Sequence, residues 1–232
     1  MAEAEAIADG VWLVRGGRPA VMNVYLLEDG DGVTLFDAGV ASMPEALRDA
    51  AGPLGGIRRI VLGHAHPDHR GAAATLGVPV LCHPDERSHA ESEHGQDYFD
   101  TSKLTFPVTH VMPRLLQRWD GGPVTVSDTV DEGDEVAGFR VVHLPGHAPG
   151  LIALWRAGDG LALVSDAFYT LDPQTGFKKP PRLPHPAFNW NEAELRASLL
   201  KLAELHPRVV WTGHADVVDD EPERVLRELA RS

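Results

Sequence analysis

Ile60-Val61-Leu62-Gly63-His64-Ala65-His66-Pro67-Asp68-His69 is the stretch on which the reading of this chain turns. Three apolar residues of a short buried strand run directly into His64, His66, Asp68 and His69, four side chains of the kind that donate lone pairs to cations. Pro67 removes a backbone donor and disfavours helix at His66. The segment is therefore predicted to be a turn after the strand, not a helix through the histidines. A turn lets neighbouring side chains diverge, so one segment can serve two metal positions. Neutral imidazole and carboxylate suit zinc and also iron. So polar a cluster has no easy place in a dry core.

Upstream of this stretch, Val11 to Arg15 reads as a strand. Val21 to Leu27 and Val33 to Phe36 follow, separated by Glu28-Asp29-Gly30-Asp31-Gly32, a hairpin signal. Asp37-Ala38-Gly39 closes that strand. Ser42-Met43-Pro44-Glu45 has the form of a capping box before a helix through Ala46, Leu47 and Ala50. Downstream, Gly71 to Leu76 reads as a helix and Val78 to Cys82 as a strand. Residues 84–123 are polar, carry scattered histidines and aromatics, and lack clean periodicity. They are expected to form a long, lid-like excursion over one face. Its apolar residues between Tyr98 and Trp119 suggest either an apolar lid or a homodimer contact.

The second half repeats this logic. Val124 to Leu144 carries segments expected to alternate as antiparallel strands, and Leu151 to Trp155 and Leu161 to Val164 are further strands. Pro173 to Asn189 is a Pro-rich loop. Asn191 caps a helix with Leu195, Leu199, Leu202 and Leu205 on one stripe. Val209-Val210-Trp211 is a strand, and Pro222 to Leu229 a last short helix. Three more potential donors stand beyond strands in this half: His147 in Gly146-His147-Ala148-Pro149-Gly150, Asp166 after Leu163-Val164-Ser165, and His214 after Thr212-Gly213. With the first four they make five histidines and two aspartates at strand ends, where binding sites collect. Strands followed by helical layers in each half predict two packed sheets with helices outside.

Composition narrows the partners. Asp and Glu number 34 against 21 Lys and Arg, a formal net charge of −13. Such a surface repels nucleic acid and anionic membrane, so a small-molecule substrate is expected. No apolar stretch approaches the ~20 residues that span a bilayer. The N-terminus does not read as a secretory signal, and the single cysteine, Cys82, cannot form an intramolecular disulfide. A soluble cytoplasmic protein is the expectation.

His-x-His-x-Asp-His, then a Gly-His loop, a strand-end Asp and a Gly-His near the C-terminus is a pattern that resembles the metallo-β-lactamase fold hydrolases, in order from about Asp37 to His214. The resemblance implies one domain over 1–232, an αββα sandwich of two similar halves, mixed sheets with outer helices, and a site at one edge. It assigns His64, His66 and His147 to one metal ion and Asp68, His69 and His214 to another, with Asp166 bridging. The ions it implies are two divalent cations, zinc first, with iron or manganese as alternatives. Gly63 departs from the pattern, since many members carry Thr there. Asp37 resembles the Asp of a strand-end Asp-x-Gly motif and could fix a ligand imidazole by accepting its other N–H; an Asx-type turn before Gly39 is the competing account.

The expected chemistry is attack on a carbonyl by a hydroxide shared between two cations, which lower the pKa of water. Asp68 can shuttle a proton while holding its metal. Tyr169, three residues after Asp166, resembles a Tyr at that offset in homoserine-lactone lactonases of the same superfamily; its hydroxyl could stabilise an oxyanion. A small ester, lactone or thioester is the expected substrate class, in a lactonase-like or glyoxalase II-like branch. The glutathione-binding extension of glyoxalase II is not evident. Alternatives are a persulfide dioxygenase-like oxidoreductase, with one iron on His64, His147 and Asp166, and a β-lactam or phosphodiester hydrolase.

Overall fold

The computed structural model describes residues 4–17, 22–93 and 98–232. The hairpin signal around Gly30 joins β3 (Met22–Asp29) to β4 (Gly32–Phe36), with Asp29 opposite Gly32 and Gly30 at positive φ. β1 (Glu5–Ala8) and β2 (Val11–Gly16) extend this antiparallel run. The chain then crosses over through α1 (Pro44–Ala51) to β5 (Ile57–Val61), parallel to β4. α2 (Pro67–Arg70) and α3 (Ala73–Leu76) lead to β6 (Val80–Cys82), again parallel. α4 (Arg87–Glu91) and α5 (Val108–Trp119) precede β7 (Val126–Thr129), which completes a seven-stranded sheet in the order β1 to β7. Parallel neighbours need such crossovers, and each leaves its strand's C-terminal end free at one edge.

The second sheet has six strands. β8 (Glu135–Val136), β9 (Phe139–His143), β10 (Ile152–Arg156) and β11 (Leu161–Leu163) run antiparallel. After α6 (Glu192–Ala203), β14 (Val209–Trp211) pairs parallel to β11, and β15 (Val217–Val218) closes the edge before α7 (Pro222–Leu229). A separate ribbon pairs β12 (Tyr169–Leu171) with β13 (Lys178–Arg182).

Side-chain alternation builds the layers. On β2 to β6, Leu13, Tyr25, Leu27, Phe36, Val61 and Leu81 meet Phe139, Val141, Ile152, Leu154 and Leu163 of the second sheet. The intervening residues Val14, Val24, Leu26, Leu35, Ile60 and Val80 pack under Leu47 and Ala50 of α1 and Leu76 of α3. The other face of the second sheet packs against Leu199 and Leu202 of α6 and Leu226 and Leu229 of α7. The result is the expected sandwich of two mixed sheets with outer helices. Asn191 caps α6 as its sequence position suggests, accepting from Ala193 N and Glu194 N at 3.0 and 3.3 Å.

Four expectations need correction. Ser42 does not cap α1: Met43 is the cap residue, without a side-chain bond, and Pro44 opens the helix with its φ preset. Val126–Thr129 is not part of an antiparallel set in the second half; it pairs parallel to β6 in the first sheet. The Pro-rich 173–189 loop contains a strand, β13, at an exposed position where prolines are tolerated. The 84–123 excursion is largely helical. Its principal element, α5, buries Met112 and Leu116 and packs Val108, Leu115 and Trp119 against Phe188, a 3.6-residue stripe obscured by Pro113 within the helix.

Candidate metal centre

The His64–His69 segment divides at Pro67. Residues before it are non-helical, with His66 at φ −63°, ψ 154°, and extended backbone turns positions 64 and 66 to the same side. Pro67 then begins the helical turn α2, which fans Asp68 and His69 about 100° apart. The expectation of a turn thus holds for His64 and His66, whereas Asp68 and His69 ride on a helix.

The loops after β5, β9, β11 and β14 bring all seven predicted donors together. His147 Nε2 lies 3.1 Å from His66 Nδ1 and 3.6 Å from Asp166 Oδ2. His64 Nε2 is 4.0 Å from Asp166 Oδ2, and His69 Nε2 is 3.3 Å from Asp166 Oδ1. His214 Nε2 is 3.3 Å from Asp166 Oδ2 and 3.4 Å from Asp68 Oδ2. Two groups of donor atoms result, His64–His66–His147 and Asp68–His69–His214, with the Asp166 carboxylate between them.

The sides of the rings away from this centre are tied down. Asp37, fully buried, accepts from His69 Nδ1 at 2.8 Å, from Gly63 N at 2.7 Å and from Ser165 Oγ at 2.9 Å. Ser165 Oγ in turn stands 3.1 Å from His64 Nδ1. These bonds place protons on Nδ1 of both rings and turn each Nε2 inward. Asp37 and Ser165 both adopt positive φ, 64° and 45°, a strain that the surrounding bonds hold in place. Asn189 Oδ1 lies 2.9 Å from His147 Nδ1, and Tyr98 OH bonds His66 Nε2. Asp37, Ser165, Asn189 and Tyr98 therefore fix four rings; only Asp37 was visible in the sequence.

Two further buried charges brace the backbone. Glu86 accepts from Ala65 N at 2.8 Å and from Gly150 N at 3.0 Å, joining the loops that carry His64–His66 and His147. Arg70, next to His69 and fully buried, makes a bidentate pair with Asp120 at 3.1 and 2.8 Å and donates to the carbonyls of His89, Ala90 and Ser92. It ties α2 to the ends of α4 and α5. Single charged residues like these carry no spacing signal in a sequence.

Glycine is required at two positions. A Cβ on Gly63 would lie 2.6 Å from Ser165 Cβ and Oγ, so Ser165 fills the space a Thr side chain would need here. A Cβ on Gly213 would lie 2.3 Å from Asp166 Oδ1 and 2.7 Å from His69 Cε1.

The electrostatics suit cations. Burial, and then neighbouring rings, push His64 and His66 well below the ordinary imidazole range; burial also lowers His147, so all three are neutral donors. Burial would lower His69 and His214 too, but Asp166 with Asp37 or Asp68 overrules it, holding His69 well above its ordinary value and His214 at about 9. Burial opposes ionisation of Asp166, yet His214 and His69 hold it well below the carboxylate range. Two imidazolium rings thus balance carboxylates that metal ions could balance instead. Among the described residues His64 Nε2 is buried without a hydrogen-bond partner, and His69 Nε2 and Asp166 Oδ1, both buried, meet no partner in hydrogen-bond geometry although they lie 3.3 Å apart, as expected of atoms shaped to bind metal.

Tyr169 faces the cluster, its ring 5.9 Å from His147 and 5.5 Å from His214. Burial, and then Asp166, keep its hydroxyl protonated. A cavity of about 320 Å³ has His66, Asp68, Asp166, Tyr169 and His214 among its lining residues, and α5 contributes its apolar side. His83, His110 and His185 do not line this cavity. His83 and His143 instead stack on each other at 3.9 Å, 15° from parallel, outside this cavity. Cys82 is buried, and burial raises its thiol to about 12, which leaves it unreactive. Among the described residues no helix is long and apolar enough to cross a membrane.

The fold and site define a class. The model of the metallo-beta-lactamase superfamily matches residues 17–214, and the chain belongs to that family. YobT of Bacillus subtilis (strain 168), an uncharacterized protein, is 25% identical over 219 residues, covering 91% of this chain and 90% of its own length. YqjP of the same organism, a probable metallo-hydrolase, is 24% identical over 220 residues, covering 84% of this chain and 67% of its own. Among solved structures, TTHA1623 in a di-iron-bound form superposes with a TM-score of 0.63 at 28% identity, covering 89% of this chain and 93% of that one. Membership in this superfamily supports an enzyme, a metallo-hydrolase, and the chain brings together His/Asp clusters that could hold a metal ion.

Proposed function

We propose that the chain is a binuclear metal-dependent hydrolase acting on the carbonyl of a small ester, lactone or thioester. The observation that carries this reading is the convergence of seven donors, three with buried unpartnered atoms, beside an apolar cavity. His64, His66 and His147 would hold one cation, Asp68, His69 and His214 the other, and Asp166 would lie between both. Two divalent cations held there, zinc or iron, would supply Lewis acidity and would make water a nucleophile near neutral pH. Asp37 and Ser165 hold His69 and His64 with Nε2 inward throughout. Burial opposes ionisation of Asp68, but its hydrogen bond to His214 and the charge of His69 keep it a carboxylate, so its cavity-facing side can accept a proton and return it to the leaving group. The protonated Tyr169 hydroxyl donates to the carbonyl oxygen as negative charge develops there. The apolar walls limit water around the scissile bond.

The geometry of Asp68, His69 and His214, as close-set as the first group, speaks against a one-iron oxygenase using only His64, His147 and Asp166. The test is hydrolysis of an ester, lactone and thioester panel by protein stripped with chelator and then reloaded with zinc or iron. Activity that returns with metal supports the reading, and Tyr169→Phe should lower kcat roughly 10- to 1,000-fold with metal content unchanged. Reloaded protein that turns over none of the panel contradicts it.

A further inference from the structure

We infer that the cavity beside the metal centre selects substrates whose non-reacting part is an uncharged, lipophilic acyl or aryl group, and rejects those that carry a carboxylate or phosphate there. This rests on the hydrolase reading above and adds its specificity. Val108, Val111, Met112 and Leu115 of α5, with Leu171 and Phe188 opposite, form the walls. Among the described residues, no lysine or arginine lines it. Three cations on adjoining segments are paired: Lys103 with Asp100 at 3.8 Å, Lys178 with Asp216 at 2.5 Å and Arg182 with Asp172 at 3.7 Å. Among the described residues, the charged side chains lining the cavity apart from histidine, Asp68 and Asp166, are negative. Away from the metal centre, an anion seated on these apolar walls would lose hydration that no cationic side chain among the described lining residues replaces.

Size and shape point the same way. At about 30 Å³ per water-sized group, 320 Å³ accommodates on the order of ten non-hydrogen atoms. Val111, which lines the cavity, is also 46% exposed, so this wall reaches the surface. Two large apolar side chains flank the same segments, Phe106 at 81% exposure and Phe177 at 71%. Their segments are tied together, Thr105 N and Oγ1 donating to Gln174 Oε1 at 2.8 and 2.6 Å. An acyl chain longer than the cavity would therefore still meet apolar surface where it emerges.

The test separates specificity from catalysis by measuring binding and turnover independently. Butanamide, octanamide and the ω-carboxylated analogue of octanamide are titrated calorimetrically into metal-free and metal-loaded protein. Octanamide is expected to bind roughly 30-fold or more tightly than butanamide, since each added methylene is worth about threefold. The ω-carboxylate analogue is expected to bind at least about tenfold more weakly than octanamide. Val111→Lys, a change at a partly exposed wall, is expected to shrink or reverse that last difference. In parallel, p-nitrophenyl acetate, butyrate and octanoate are assayed, with kcat/KM expected to rise along the series. Equal binding of the short and long amides, or undiminished binding of the carboxylate, overturns the inference while leaving the hydrolase reading intact. Chain-length-dependent amide binding without turnover of any ester upholds the inference and contradicts the hydrolase reading.

Discussion

At the scale of single residues, the centre depends on groups that touch no cation. Asp37 accepts three hydrogen bonds at a fully buried position, so Asp37→Ala leaves Gly63 N, His69 Nδ1 and Ser165 Oγ to find other partners. Metal affinity, measured by competition with a chromophoric chelator, is expected to fall roughly 10- to 100-fold. Gly63 and Ser165 form a second test. Gly63→Thr alone drives Cβ into Ser165 and is expected to cost about 1–3 kcal/mol of stability by chemical denaturation. Adding Ser165→Gly should recover most of it, because the two positions share one space. The seven residues that converge were legible in the sequence because residue types able to ligate recur at strand ends. Ser165, Asn189, Tyr98 and Glu86 were not, because each acts through one long-range bond that spacing does not record.

At the scale of elements, the helices and strands flanking the site were legible where the apolar period was clean and misread where proline broke it. α6 shows both a cap and a leucine stripe, and both are realised. α5 was read as irregular because Pro113 stands inside it, yet its buried stripe outweighs the missing N–H. β7 carries no local mark of its parallel pairing with β6; only the crossover of α4 and α5 over the first sheet decides it. Arg70 anchors this crossover through Asp120. Arg70→Met, which leaves that carboxylate without its guanidinium, is expected to cost about 3–5 kcal/mol and to raise KM more than it lowers metal content. Loss of metal without a change in KM would place the role of Arg70 in the ligand helix instead of the cavity wall.

At the scale of the whole molecule, two sheets meet so that the ends of β4, β5, β9, β11 and β14 supply one site, and the sequence order of the donors is explained by that edge. The overall sandwich was legible from the strand runs, while the cavity was not, because its walls come from α5 and from the segment around β12, distant in sequence. Charge balance makes a further prediction at this scale. His214 is held at about 9 in the metal-free protein by Asp166 and Asp68, against about 6.5 when unfolded. A raised folded value stabilises fully below pH ~6.5 and is lost as pH rises through about 9, so metal-free protein should lose stability across that window. Cations binding at pH 7 must displace such protons, which calorimetry in buffers of different ionisation enthalpy would register as net proton release. The account stands most directly on the number of metal ions per chain, measured by elemental analysis of protein purified without added metal. Close to two divalent ions per chain is the predicted result. One ion, or none with no uptake on reloading, would contradict the binuclear centre.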